Sequence, residues 1–134
     1  MRNLILATAL SLSACTGDGP RIPANPRQLA GSFGGDHVAL QLSPQGGTLK
    51  FDCASGTVGP ITPRGGGNFA ASGTFSPGHG GPDRVGEVIV PRAVLFTGQI
   101  DGVSLSMTGK LSDGSMIGPF IMIRDAPPTI YRCL

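Results

Sequence analysis

A glycine or a proline interrupts this chain about every four residues: 22 Gly and 12 Pro stand among its 134 positions. Proline deletes a backbone donor, and glycine costs about 1 kcal/mol against alanine inside a helix, so helices of about ten residues or more find no room between the interruptions. Such a composition approaches that of low-complexity disorder, but 40% of the residues are hydrophobic, enough to build a core. The expectation is an all-β chain of short strands and tight turns. The length is that of one ordinary domain. A formal net charge of +2 with 13% charged residues leaves no electrostatic footprint for DNA or RNA, so neither is expected as a partner.

The apolar residues alternate. Val38, Leu40 and Leu42 alternate with Ala39 and Gln41, and Leu49, Phe51 and Cys53 alternate with Lys50 and Asp52, which gives two half-buried strands joined by a turn over 43–47. Weaker strands are expected at 56–61 and at 68–75, the second carrying Phe69, Ala71, Gly73 and Phe75 on one face. Pro63 and the run Gly65, Gly66, Gly67 read as loop. Residues 88–90 form a short apolar strand before Pro91; Val94, Phe96, Gly98 and Ile100 then run at period two into the hairpin signal Asp101-Gly102, and Val103, Leu105, Met107 and Leu111 return. After Asp113-Gly114, residues 116–123 are apolar at both parities, the pattern of a central strand buried from both sides. About seven or eight short strands at this spacing define a small antiparallel β-sandwich or barrel, two architectures with the same alternation.

The first residues read as an address. Arg2 precedes an apolar run over residues 4–12, broken only by the small polar Thr8 and Ser11 and too short to span a bilayer, which takes roughly 20 apolar residues. The run ends in Leu12, Ser13, Ala14 and Cys15, which resembles the lipobox of bacterial lipoproteins at all four positions. That resemblance implies a helical signal peptide over 1–14, removed on maturation, and diacylglycerol on Cys15, with two or three acyl chains anchoring the chain stably. Thr16 stands where an aspartate would commonly hold such a protein in the inner membrane of a Gram-negative host. In such a host the resemblance thus implies the periplasmic face of the outer membrane, and an anchored, tethered β domain there points to an envelope protein, an envelope polymer or a small ligand as further partner. An ordinary signal peptide with an incidental cysteine is the alternative. Residues 15–30, with Pro20, Pro23 and Pro26, read as lipidated cysteine and flexible tether, and 31–134 as the folded domain.

With Cys15 lipidated, Cys53 and Cys133 remain as an even pair in an oxidising compartment, and the simplest arithmetic joins them in a disulfide. Two buried free thiols are the alternative; a zinc site lacks any closely spaced Cys-Cys or Cys-His pair. The succession Gly34-Gly35, His37-Val38, Phe51-Asp52-Cys53-Ala54, His79-Gly80-Gly81-Pro82, Gly118-Pro119-Phe120 and Cys133-Leu134 resembles small uncharacterised secreted β proteins of bacteria. That resemblance implies a fold and a disulfide, and no reaction or catalytic residue.

Chemistry must be drawn from a short list: two histidines, His37 and His79, and one glutamate, Glu87. Strand alternation places His37 and Asp52 together on the face of the first hairpin opposite the core, within contact range if the pairing sets them opposite or diagonal. His79 lies in a glycine-rich loop with Asp83 and Arg84. A functional reading makes His37, Asp52 and His79 ligands for a metal or small molecule, with Asp36 or Asp83 as a further oxygen donor; the plainer reading is a surface hydrogen bond and an ordinary turn. Arg64, Arg84 and Arg92 either gather a carboxylate or phosphate or simply solubilise the surface. No serine sits in a Gly-x-Ser-x-Gly elbow, and Gly65 to Gly67 do not lie between a strand and a helix. The expectation is a non-enzymatic binding or structural module of the cell envelope with no cofactor. The alternative is a metal or small-ligand binding protein using His37, Asp52 and His79.

Overall fold

The computed structural model describes residues 28–78, 82 and 85–133. Eight antiparallel strands run β1 Gly31–Gly35, β2 Val38–Ser43, β3 Gly46–Phe51, β4 Ala54–Val58, β5 Asn68–Pro77, β6 Arg92–Asp101, β7 Ser104–Leu111 and β8 Met116–Arg124. Each pairs with the next in sequence, and β1 pairs with β8 to close a barrel. The fold is therefore the up-and-down barrel rather than the sandwich. Lipid attachment at Cys15, together with His79 and Arg84, lies outside the described residues.

Eight strands enclose a space just wide enough for side chains to fill. The inward positions supply Val38, Leu40 and Leu42 from β2, Leu49 and Phe51 from β3, Phe69 and Ala71 from β5, Val94 and Phe96 from β6, and Leu105, Met107 and Leu111 from β7, all buried. The buried rings explain part of the glycine content. A Cβ on Gly73 would lie 2.8 Å from Phe96, and one on Gly98 would lie 2.8 Å from Phe69. Small residues opposite large ones let a narrow barrel hold aromatic rings.

The barrel has two distinct ends. The chain arrives at the start of β1, the entry end, which is sealed by fully buried Ile61 from the β4–β5 loop. Leu29 N–H bonds Ile61 O at 2.8 Å there, and the Arg124 guanidinium lies 4.8 Å from the Phe33 ring centroid and donates to Ala30 O. At the far end lie the β1–β2 and β3–β4 turns, the β5–β6 loop and the β7–β8 turn.

After β8 the chain reverses at Asp125 (φ 60), whose N–H bonds Ser32 O. Residues 125–133 then run back along β1 to the far end as a strap. Thr129 pairs in parallel with Asp36, its N–H donating to Gly35 O at 3.1 Å and its carbonyl accepting from His37 N–H at 2.8 Å. The strap passes so close to β1 that a Cβ on Gly34 would sit 2.8 Å from the nitrogen of Pro128. Its end is fixed by the Cys53–Cys133 disulfide, with Cα atoms 5.0 Å apart and a sequence separation of 80.

Four expectations are corrected by this geometry. Cys53 does not end an inward-facing strand; it occupies the β3–β4 turn at φ 56, where it meets the strap. Residues 88–90 are exposed loop, and the missing strand is the glycine-rich β1. Asp101 pairs with Ser104, so the turn is Gly102-Val103 and Val103 faces solvent. Finally, β8 is not buried on both faces: Ile121 and Met116 are mostly exposed, because a barrel strand has an outer surface whatever its sequence.

The doubled apolar parity of β8 has another cause. Met107 pairs with Phe120 but Gly109 pairs with Ile117, so Gly118 and the cis-linked Pro119 form a bulge opposite the single residue Thr108. A bulge shifts strand parity by one, so residues three apart, Ile117 and Phe120, both turn toward the core. Bulges are also where a strand tolerates proline.

Candidate functional site at the far end

Val38 pairs with Phe51, so the residues just beyond this pair, His37 and Asp52, are neighbours at the far end of the first two hairpins. Each belongs to a two-residue turn: Asp36-His37 between Gly35 and Val38, and Asp52-Cys53 between Phe51 and Ala54. His37 (φ 65) and Cys53 (φ 56) both sit in the left-handed region. A non-glycine residue there costs about 1 kcal/mol or more and persists where its surroundings over-determine it. Here the strap does so, holding the His37 amide through Thr129 and Cys53 through the disulfide.

The same strap completes the side-chain cluster. His37 Nδ1 is hydrogen-bonded to Asp52 Oδ2, and Tyr131 N–H donates to Asp52 Oδ1 at 2.7 Å. The Tyr131 ring lies 5.2 Å from the imidazole, tilted by 37°. The Tyr131 amide, followed by the hydrogen bond and charge of His37, holds the Asp52 carboxyl below the usual carboxylate range against the opposing effect of desolvation. A carboxylate that accepts from Nδ1 fixes the neutral imidazole as the Nδ1–H tautomer and leaves Nε2 with a lone pair. Nε2 has no hydrogen-bond partner among the described residues.

Beside the pair opens a cleft of about 290 Å³ lined by Phe51, Phe75, Ile117 and Phe120, with His37 and Asp52 at its edge. Phe51 is buried and stacks obliquely between the other two rings, its centroid 5.7 Å from that of Phe75 and 4.9 Å from that of Phe120. Phe75, Ile117 and Phe120 are only partly buried. The barrel thus ends in an aromatic shelf with one polar edge.

His37 and Asp52 do meet, although at the barrel mouth and in turns rather than on the outer face of a hairpin. Gly78 N–H bonds Cys53 O at 2.6 Å, so the loop containing His79 departs beside this turn. No group of three His, Cys, Asp or Glu side chains suited to a metal occurs among the described residues. Among the described residues Arg64 and Arg92 do not converge: Arg64 belongs to the entry end, while Arg92 at the far end is paired with Asp113. Asp113 also accepts from the Ser115 hydroxyl and amide, and these bonds, with Arg92 third, hold its carboxyl at about 2. Sequence alternation missed Tyr131 and the aromatic shelf. The available signal was the position of Asp52 next to Cys53 and of Tyr131 two residues before Cys133, since bridging the cysteines brings the other two near each other. No family model, curated protein or solved structure matches the chain.

Proposed function

We propose that this chain is a lipid-anchored, non-enzymatic binding module of the cell envelope, tethered through Cys15 and presenting the far end of its barrel. The observation that carries the reading is the opposition of the two ends: residues 28–30 enter at one, and the cluster of His37, Asp52 and Tyr131 with its cleft stands at the other. A tether over residues 16–28, if extended at about 3.1 Å per residue, would reach about 40 Å and hold the mouth clear of the anchoring surface. The His37–Asp52 pair has the orienting half of a nucleophilic triad, but among the described residues no hydroxyl or thiol is hydrogen-bonded to the imidazole.

The test is the intact mass of the chain extracted from envelopes. Acyl chains on a polypeptide beginning at Cys15 are expected on the outer-membrane fraction; an unmodified Cys15 overturns the anchor. A hydrolytic activity abolished by His37→Asn or Asp52→Asn overturns the non-enzymatic reading. Metal binding through His37, Asp52 and His79 is the second reading, favoured by the contact between the first two. It requires the melting temperature to fall on chelation, since a ligand bound to the folded state stabilises it.

A further inference from the structure

We infer that the far-end cleft binds a small neutral aromatic molecule carrying a hydroxyl, with the ring on the phenylalanine shelf and the hydroxyl donating to His37 Nε2. The inference rests on the binding-module reading above and names its ligand class. Three observations carry it. The cleft measures about 290 Å³, just below the usual range of drug-sized sites and enough for one or two fused rings. Its floor is made by Phe51, Phe75 and Phe120, and aromatic faces prefer offset or edge-to-face contact with another ring. Its polar edge offers an open acceptor at His37 Nε2, since Nδ1 is engaged by Asp52, whose two oxygens each already take part in one hydrogen bond.

The polarity of that edge selects the ligand. In its neutral form, with Nδ1–H committed to Asp52, His37 presents an acceptor at Nε2 and no donor, which matches a hydroxyl and mismatches a carbonyl or an ether. The apolar shelf disfavours a charged ring substituent, because a charge buried there would lose hydration without a partner. The bulge at Gly118-Pro119 is part of the site, since it turns both Ile117 and Phe120 toward the cleft.

The probe pair is 2-naphthol and 2-methoxynaphthalene, which share a ring system and differ in the donor. Titrated into the full chain and followed by NMR shifts of the Phe75, Phe120 and His37 resonances, 2-naphthol is expected to bind about five-fold more tightly, the worth of one neutral hydrogen bond. The chain has no Trp, so naphthalene fluorescence gives an independent readout with little protein background. His37→Asn keeps a residue that tolerates positive φ and can still donate to Asp52, but removes Nε2; it is expected to abolish the five-fold preference and leave methoxynaphthalene binding unchanged. Equal affinities in the unmodified chain overturn the role of Nε2, and shifts of neither cleft ring with either probe overturn the site. Both results leave the anchor measurement untouched, so failure here is distinguishable from failure of the module reading.

Discussion

Replacing Cys53 and Cys133 together by alanine removes a crosslink that closes a chain segment of 80 residues. On the chain-entropy model, a loop of that length restricts the unfolded ensemble by about 15 cal/mol/K, or about 4.5 kcal/mol at 25 °C, a large share of the 5–15 kcal/mol that holds a typical domain together. Alanine keeps the backbone cost at position 53 close to that of cysteine, since both carry a Cβ at φ 56. The difference therefore reads the crosslink. With a urea slope of about 2 kcal/mol/M, the midpoint should fall by about 2 M. A second readout is local. The strap loses the bond that fixes its end, so the Tyr131 amide should leave Asp52 and exchange faster with solvent, and the Asp52 carboxyl should titrate nearer its ordinary value. Equilibrium urea unfolding of the oxidised chain and the double variant, with amide exchange on both, makes the measurement. A loss under about 1 kcal/mol with an unchanged Tyr131 amide would refute the reasoning, showing that the other strap bonds suffice.

Three further outcomes are expected. Asp113 is held at about 2 in the folded chain against an ordinary 3.8, so its stabilising contribution is complete above about pH 4 and is lost as the pH falls through 2; melting temperatures of Asp113→Asn should show a shallower acid limb over that window. Gly98→Val drives carbon atoms against the Ser106 carbonyl oxygen of β7 as well as the Phe69 ring and should lower stability by at least about 1–3 kcal/mol in a denaturant titration, whereas the same change at Gly114, where a Cβ would meet nothing within 4 Å, tests the cost of positive φ alone. Phe96→Ala empties the middle of a filled barrel from a residue with no exposure and should cost about 3–5 kcal/mol; a loss under 1 kcal/mol would mean the interior collapses to fill the space.

Strands β2, β3, β5, β6 and β7 were legible because their inward residues alternate strictly, and burial follows that alternation in the barrel. Strand β1 was not, since Gly31-Ser32-Phe33-Gly34-Gly35 carries one large apolar residue. Its glycines answer to neighbours rather than to strand propensity, Gly34 to the strap above all. The apolar run in β8 was misread as two buried faces because a bulge cannot be seen in a hydrophobic pattern: Gly118-Pro119 changes parity midway, and the outward Ile121 remains exposed. At the candidate site, the meeting of His37 with Asp52 followed from hairpin pairing alone. Tyr131 did not, because it arrives from 79 residues away on a segment with no regular pattern. Phe51 and Phe75 were legible as inward residues of their strands, but nothing in a linear pattern says that three rings from β3, β5 and β8 converge at one mouth.

Closure of the barrel also restricts how anything can attach to it. Every strand from β1 to β8 has a neighbour on both sides, so no strand presents a whole open edge. An extended peptide finds no full-length strand edge to add to, and copies of the chain stack edge to edge into fibrils only after the β1–β8 seam opens. That seam has three paired positions, fewer than any other pair of strands, which makes it the place where an opening would start. The outward Leu95, Ile121 and Ile123 are tolerable for the same reason: on an open sheet they would invite strand pairing, while on a closed one they can be reached only side chain to side chain.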